Sequence, residues 1–372
     1  MPKRTHGEGT IYQDKKGLWR GEITLGYDPG GKRIKKSFSS MDREKLLKKM
    51  NDEKFNLHRN IVTVTSDYTV AEWVGFWLEN YKAHTLRSKT YDNYENALNR
   101  HIRNAIGDYK LTKINTDAIQ QMYNRMHKNG LSANSIRIVN NALSQAFDQA
   151  VKNKLIYENP CKSTVRPKIE KSRATAMTTD EQELFIQHCK DESTYHKLFI
   201  FLLNAGLRVG EARALTWDDI DFVKKEITIN KTASLVKNRD ENAETKTKII
   251  INSTKTESGE RIVPMNSKVE SILLAQKEDE VNEIFVFSSK VGTMLMGRNV
   301  NRAHIDLLGQ AGLSRSITVH TLRHTFATRL LEKGVNPKVV SDLLGHASIQ
   351  ITLNIYSHVM PNIKTDAVNL LD

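Results

Sequence analysis

His320-Thr321-Leu322-Arg323-His324, then Leu344-Gly345-His346, then Tyr356: these three short pieces near the end of the chain organise the reading of the rest. His320 and Arg323 stand at i and i+3, so they share one helix face and address one point. An arginine there is a permanent cation whose planar fork matches the oxygens of a phosphate. A tyrosine phenol, with a reference pKa of about 10, serves both as nucleophile and as leaving group. Taken singly, each signal is unspecific. A lone helical arginine is usually a surface or salt-bridge residue, His346 after Gly345 also reads as a cap or core histidine, and Tyr356 is one of 11 tyrosines.

Two upstream stretches complete the set. Ala205-Gly206-Leu207-Arg208-Val209-Gly210-Glu211-Ala212-Arg213, continuing to Trp217-Asp218-Asp219-Ile220-Asp221, offers Arg208 as the second jaw of a phosphate clamp. Glu211 reads as a structural partner that orients Arg208 or Arg213. In Thr254-Lys255-Thr256-Glu257-Ser258-Gly259-Glu260-Arg261-Ile262-Val263-Pro264, Lys255 stands beside turn residues between two strands. From there a lysine delivers a proton to a departing sugar oxygen. Fixed cations, a proton donor and a phenol are what phosphodiester transfer without a metal requires. Neither a Gly-rich phosphate loop before Lys-Ser/Thr nor a carboxylate metal cluster occurs, so no cofactor or metal is expected.

Together these residues resemble the tyrosine recombinase (phage integrase) family. The first family box has Arg preceded by Gly and followed by Gly-Glu, then Trp-x-Asp-Ile-Asp. The hairpin lysine has a Thr-Lys-Thr…Arg-x-Val-Pro context, and the second box runs His-x-Leu-Arg-His, Leu-Gly-His and Tyr. The chain matches at Arg208, Lys255, His320, Arg323, His346 and Tyr356. The resemblance implies that Tyr356 attacks the scissile phosphate, forming a 3′-phosphotyrosine and freeing a 5′-hydroxyl. It implies that Arg208 and Arg323 hold the non-bridging oxygens, Lys255 is the general acid, His320 handles the tyrosine proton and His346 hydrogen-bonds the phosphate. Rejoining then needs no ATP.

Outward from the catalytic boxes, charge and periodicity describe the rest. At 372 residues the chain exceeds one ordinary domain. Its net charge of +13 is uneven: residues 1–65 carry +7, residues 66–170 carry +5 and the remaining 202 only +1. Charge kept only for solubility would be spread more evenly, so the N-terminal half is read as gripping DNA or RNA. Trp19, Gly21, Ile23 and Leu25 alternate with polar residues as in a half-buried strand. Asp28-Pro29-Gly30-Gly31 makes a turn, a basic strand returns, and Ser39 or Ser40 caps the helix after it. Arg20, Lys32, Arg33, Lys35 and Lys36 are the candidate DNA contacts of this sheet, against the alternative of a solvated hairpin. Val70, Trp73, Val74, Trp77, Leu78 and Tyr81 then form one helical stripe. Three further stripes, the last ended by Asn159-Pro160, predict a four-helix bundle. Arg166 and Lys168 lie in a basic stretch beyond it, placed to follow phosphates.

The expected fold is mainly α with small β elements (α+β). It comprises an N-terminal three-stranded sheet plus helix, a helical bundle, and a mixed, mostly helical last domain with a small antiparallel sheet. By resemblance these are an arm-type DNA-binding domain (1–62), a SAM-like helical core-binding domain (66–163), a basic linker (164–175) and the catalytic domain with a C-terminal tail (176–372). Residues 231–247 are longer than a hairpin loop needs and read either as an extra DNA-touching ribbon or as a surface insertion. A stripe of Ile363, Ala367 and Leu370 or Leu371 suggests a tail that docks in trans or in cis.

The implied function is integration and excision of a mobile element, as by integrases of temperate phages and of integrative conjugative elements. A resolvase or invertase of the same chemistry, a type IB topoisomerase and a non-cutting DNA-binding regulator are the alternatives. Expected partners are double-stranded DNA at core and arm-type sites, further copies forming a tetramer, an excisionase and a host DNA-bending protein, with no membrane. Cys161 and Cys189 have no CxxC or Cys/His cluster nearby, and the start has no apolar segment, which fits the bacterial cytoplasm.

Overall fold

The computed structural model describes residues 10–27, 33–58, 67–169, 176–190, 192–240, 242–254, 257–278 and 284–359. It divides into two compact units, Met1–Glu170 and Lys171–Asp372. The first begins with three antiparallel strands in the order β1 (Thr10–Gln13), β2 (Trp19–Tyr27) and β3 (Arg33–Ser40), with helix α1 (Arg43–His58) packed on them. The alternation along β2 turns Ile23 toward the helix, where it is buried with Leu46 and Met50. Gly21 leaves room for that closeness, since a Cβ there would stand 2.2 Å from the Met50 sulfur and the thioether would have to shift. The cap of α1 differs from expectation. Ser39 and Ser40 remain in β3, paired with Arg20 and Trp19. Asp42 caps instead, accepting from the Glu44 and Lys45 amides at 2.8 and 3.4 Å, and a carboxylate also suits the positive end of the helix.

The bundle consists of α2 (Val70–Trp77), α3 (Ser88–Ala97), α4 (Arg103–Ile106), α5 (Thr116–Lys128) and α6 (Ala133–Lys152). Thr69 and Glu72 make a reciprocal capping box at the start of α2. The Trp73 indole donates to Ala146 O at 2.8 Å, locking α2 to α6. A π-type turn over Leu78–Lys82 then shifts the stripe off its helical phase. Tyr81 is therefore exposed, its hydroxyl accepting from Asn153. Nor does Asn159-Pro160 end α6. The helix stops at Lys152, Lys154 takes a left-handed φ of 57°, and the chain folds back so that Asn159 donates to Ser144 O and Asp148 Oδ1. Asn159 is thus a buried anchor rather than a terminator. Val165 and Gln120 exchange two hydrogen bonds, fastening the start of the basic stretch to α5.

The second unit contains α7 (Thr179–Gln187), α8 (Thr194–Ala205), α9 (Val209–Ala214), β4 (Ile220–Asp221), β5 (Glu226–Ile229), β6 (Lys231–Lys237), β7 (Thr247–Ser253), β8 (Arg261–Pro264), α10 (Ser267–Glu278), α11 (Gly297–Gln310), α12 (Val319–Glu332), α13 (Pro337–Leu344) and α14 (Ile349–Val359). The apolar run Leu198–Leu203 lies buried within α8, and no described helix is long and apolar enough to cross a membrane. The expected single β segment is two sheets, β4-β5-β8 and a separate β6-β7 ribbon. Half of the long polar stretch is therefore strand, because Lys231–Lys237 pairs along its whole length with Thr247–Ser253.

One buried polar group makes stability depend on pH. His304 sits between Phe185 and Phe199, with ring centroids at 5.6 and 5.3 Å, and its Nε2 has no hydrogen-bond partner. Burial pushes its pKa down to about 4. An unfolded histidine titrates near ~6.5, so between that pH and the folded value the unfolded chain binds a proton that the folded chain refuses. Stability is complete above this window and falls as pH drops through it, by up to about 1.4 kcal/mol per unit for this residue. His346, half-buried, shifts in the same direction and adds to the slope. Urea midpoints at pH 7 and pH 5 are expected to differ clearly in the native chain and less in His304→Leu. An unchanged difference in the variant would assign the slope to other groups.

Candidate active site

The site is assembled around the C-terminal end of α13. α8 ends at Gly206 with a left-handed φ of 65°, and a Cβ there would lie 2.3 Å from the Phe326 ring; only glycine meets both conditions. This turn delivers Arg208 to the N-cap of α9. Arg208 donates to Gly345 O at 2.9 Å. Arg323, buried on α12, donates to Leu344 O and, at 2.9 Å, to Gly206 O. Arg261, opening β8, donates to Leu343 O at 2.7 Å and to Gly259 O at 3.1 Å. Three successive carbonyls thus accept from three arginines far apart in the chain. The last carbonyls of a helix lack intrahelical donors and sit at its negative end, which is why cations gather there. Gly345 is left-handed, with φ 62°, and a Cβ on it would stand 2.7 Å from Ser258 O. The turn after Lys255 therefore presses directly on the residue before His346.

Among these cations stands one buried carboxylate. Glu211 accepts from Arg208 Nη1 at 2.6 Å and from Arg261 Nη2 at 2.8 Å, and from the Arg208 amide at 3.0 Å. Burial alone would raise its pKa, but Arg261 and Arg208 outweigh burial and hold it below the ordinary range. Its partners are Arg208 and Arg261, not Arg213, whose Nε instead donates to Leu295 O. Burial and then the Arg208 cation pull Arg323 down to about 9, which leaves it charged at neutral pH. Three guanidiniums against one carboxylate leave the site with excess positive charge.

Both histidines are held below the ordinary imidazole range. His320, open to solvent on one side, packs edge-on against His324 at 4.6 Å. Loss of hydration, then His324, Arg323 and Arg208, push it down to about 4. His346 is likewise pushed to about 4, by burial and then by Arg323, Arg208, His324 and Arg261. Its Nδ1 lies 2.8 Å from the Thr352 hydroxyl on α14.

Arg208, His320, Arg323 and His346 are therefore brought together. Lys255 lies outside the described residues. Tyr356 falls within α14, but its side chain is likewise outside them, as are residues 360–372. Arg261 was noticed in the sequence only as context for the lysine, and Thr352 carried no signal at all. In the N-terminal sheet, Arg20 pairs with Asp14 at 3.0 Å and Lys35 with Glu22 at 3.3 Å. Lys36, opposite Ile23 in the register, lies over the Phe38 ring, so it is on the other side of the sheet from Lys35. Lys32 and the Arg33 side chain lie outside the described residues. Arg166 and Lys168 are exposed, and Arg166 lines an open hollow of about 350 Å³ with Arg137.

A mostly helical domain thus gathers three guanidiniums and two imidazoles at one helix end, a charge arrangement suited to an anion. Comparison with known proteins specifies the class further. Residues 175–362 match the phage integrase family, and residues 69–127 match the phage integrase N-terminal SAM-like domain. A tyrosine recombinase XerC-like protein of Caldanaerobacter subterraneus subsp. tengcongensis is 32% identical, over 100% of this chain and 99% of its own. The chain belongs to the phage integrase family, the tyrosine recombinases, enzymes that cleave and rejoin DNA. The ICEBs1 integrase of Bacillus subtilis is 23% identical over 96% of this chain and 97% of its own. Among solved structures, the Tn1549 transposon integrase in complex with a circular intermediate DNA superposes with a TM-score of 0.70 at 22% identity, covering 82% of this chain and 99% of that one.

Proposed function

We propose that this recombinase integrates and excises a mobile genetic element in the bacterial cytoplasm, through a 3′-phosphotyrosine on Tyr356. The observation that carries the reading is the convergence of Arg208, Arg261 and Arg323 on the Leu343–Gly345 carbonyls beside His346. A guanidinium has five N–H donors, so Arg208 and Arg323 keep donors for the non-bridging oxygens of a phosphate. The Tyr356 oxygen forms a bond to phosphorus as the bond to the 5′-oxygen breaks. Lys255 supplies the proton that the leaving oxygen takes, His320 receives the one released by tyrosine, and His346 donates to the phosphate. The reverse step, with a 5′-hydroxyl from another strand, restores the phosphodiester. Full-length similarity to the ICEBs1 integrase supports assigning a mobile element as substrate. Four protomers on two duplexes, an excisionase and a host DNA-bending protein complete the expected assembly.

The test is a nicked duplex carrying the end of the element, incubated with the protein, chelator present and no nucleotide, then resolved under denaturing conditions. A protein–DNA adduct is expected. Tight binding with no adduct would replace this reading by a non-cutting regulator.

The basic hollow on the first unit supplies a separate check. Each phosphate neutralised releases counterions, so loss of one contact lowers the slope of log affinity against log salt by about 0.9. Arg137→Ala and Arg166→Ala are each expected to flatten that slope by about this amount. Unchanged slopes would place the DNA elsewhere.

A further inference from the structure

The bond between His346 and Thr352 ties α14 to the turn that follows α13. Thr352 has 0% exposure, whereas its neighbours Ile349 and Ile351 on α14 are exposed. A buried hydroxyl needs a partner, and the one described for it is His346 Nδ1, at 2.8 Å. Thr352 precedes Tyr356 by four residues, one helical turn, so it belongs to the helix that carries the nucleophile. His346 lies on the other side of that contact, two residues past the end of α13.

We infer that Thr352 is a positioning residue, which by donating its hydroxyl proton to His346 Nδ1 holds the imidazole as the Nε2–H tautomer and ties this choice to the docking of α14. The inference rests on the proposed role of His346 as a donor to the phosphate. A neutral imidazole has one N–H, and the partner of one nitrogen decides which of the two carries it. The charged groups near the ring are Arg323, Arg208 and Arg261, with His324 beside them, and burial and then these cations disfavour its protonation. If Nδ1 kept the proton and gave it to Thr352, Nε2 would turn a lone pair toward the phosphate oxygens, which is repulsive. With Thr352 donating, Nε2–H faces them instead. Withdrawal of α14 removes the donor, so His346 is committed to the phosphate only when the Tyr356 helix is in place.

The experiment is single-turnover cleavage of the nicked duplex by the native chain, Thr352→Val, Thr352→Ser, His346→Ala and Thr352→Val combined with His346→Ala. Thr352→Val keeps the shape and removes the donor; its rate is expected to fall about tenfold, the worth of one net hydrogen bond. Thr352→Ser should restore the native rate. In the His346→Ala background, Thr352→Val should cost nothing more, and nitrogen-15 shifts of the imidazole should report the Nε2–H form in the native chain and a mixture in Thr352→Val. An equal loss in both backgrounds would show that Thr352 acts by packing and would overturn the inference, as would a native rate for Thr352→Val. A native rate for His346→Ala alone would instead remove the proposed role of His346 itself.

Discussion

Tyr356→Phe is expected to abolish the covalent adduct while leaving DNA affinity within about a factor of two. The substitution removes one oxygen from a residue within α14 and leaves the arginine cluster at the end of α13 intact. In the proposed mechanism, phosphate binding depends on that cluster and attack on the phenol. Removing a nucleophile outright typically costs more than about 10⁴-fold in rate, which places the variant below detection on a denaturing gel. Competition binding on the same duplex separates the two effects. An adduct that survives in Tyr356→Phe would assign the nucleophile to another residue. Loss of affinity together with the adduct would mean that α14 has been displaced.

The second large effect is expected at Arg323. This side chain is 3% exposed and bridges Gly206 O to Leu344 O, so one guanidinium ties the turn before Arg208 to the turn before His346. Arg323→Lys keeps the charge, but an ammonium is a point donor that does not reproduce the planar fork. Loss of a preorganised donor to developing oxyanion charge costs about 10²–10³-fold in rate. Arg323→Lys is therefore expected to slow cleavage by about that factor. It should also lower the unfolding midpoint, because one of two buried carbonyls loses its donor. Single-turnover cleavage and urea unfolding on the same preparation check both. A native rate would remove Arg323 from phosphate binding and leave it a purely structural strut.

The pieces of this site were legible in the sequence to different degrees. The alternation in β2 and the stripe along α2 depend on neighbours within one or two turns, so they could be read directly. The N-terminal concentration of positive charge was equally open to reading. Arg208, His320, Arg323 and His346 were found because their chemistry stands in recognisable local contexts, and all four meet in the fold. Errors arose where a local signal had a stronger distant competitor. Ser39 and Ser40 are good caps by type, but pairing with β2 keeps them in the strand and leaves the role to Asp42. Asn159-Pro160 is a good helix stop by type, yet α6 had already ended and Asn159 reaches back to Ser144.

What the sequence alone determined is therefore the fold class, the N-terminal strands and helical stripes, and the set of candidate site residues. Those follow from periodicity, side-chain shape and charge, which act over a few residues. Only the tertiary structure decided the partners. Glu211 chose Arg261 over the nearer Arg213, three arginines chose successive carbonyls at the end of α13, and His346 chose Thr352. A hydrogen bond depends on distance and angle to a few tenths of an ångström, and those are set only when segments more than a hundred residues apart in the chain, such as Arg208 and Gly345, are packed together.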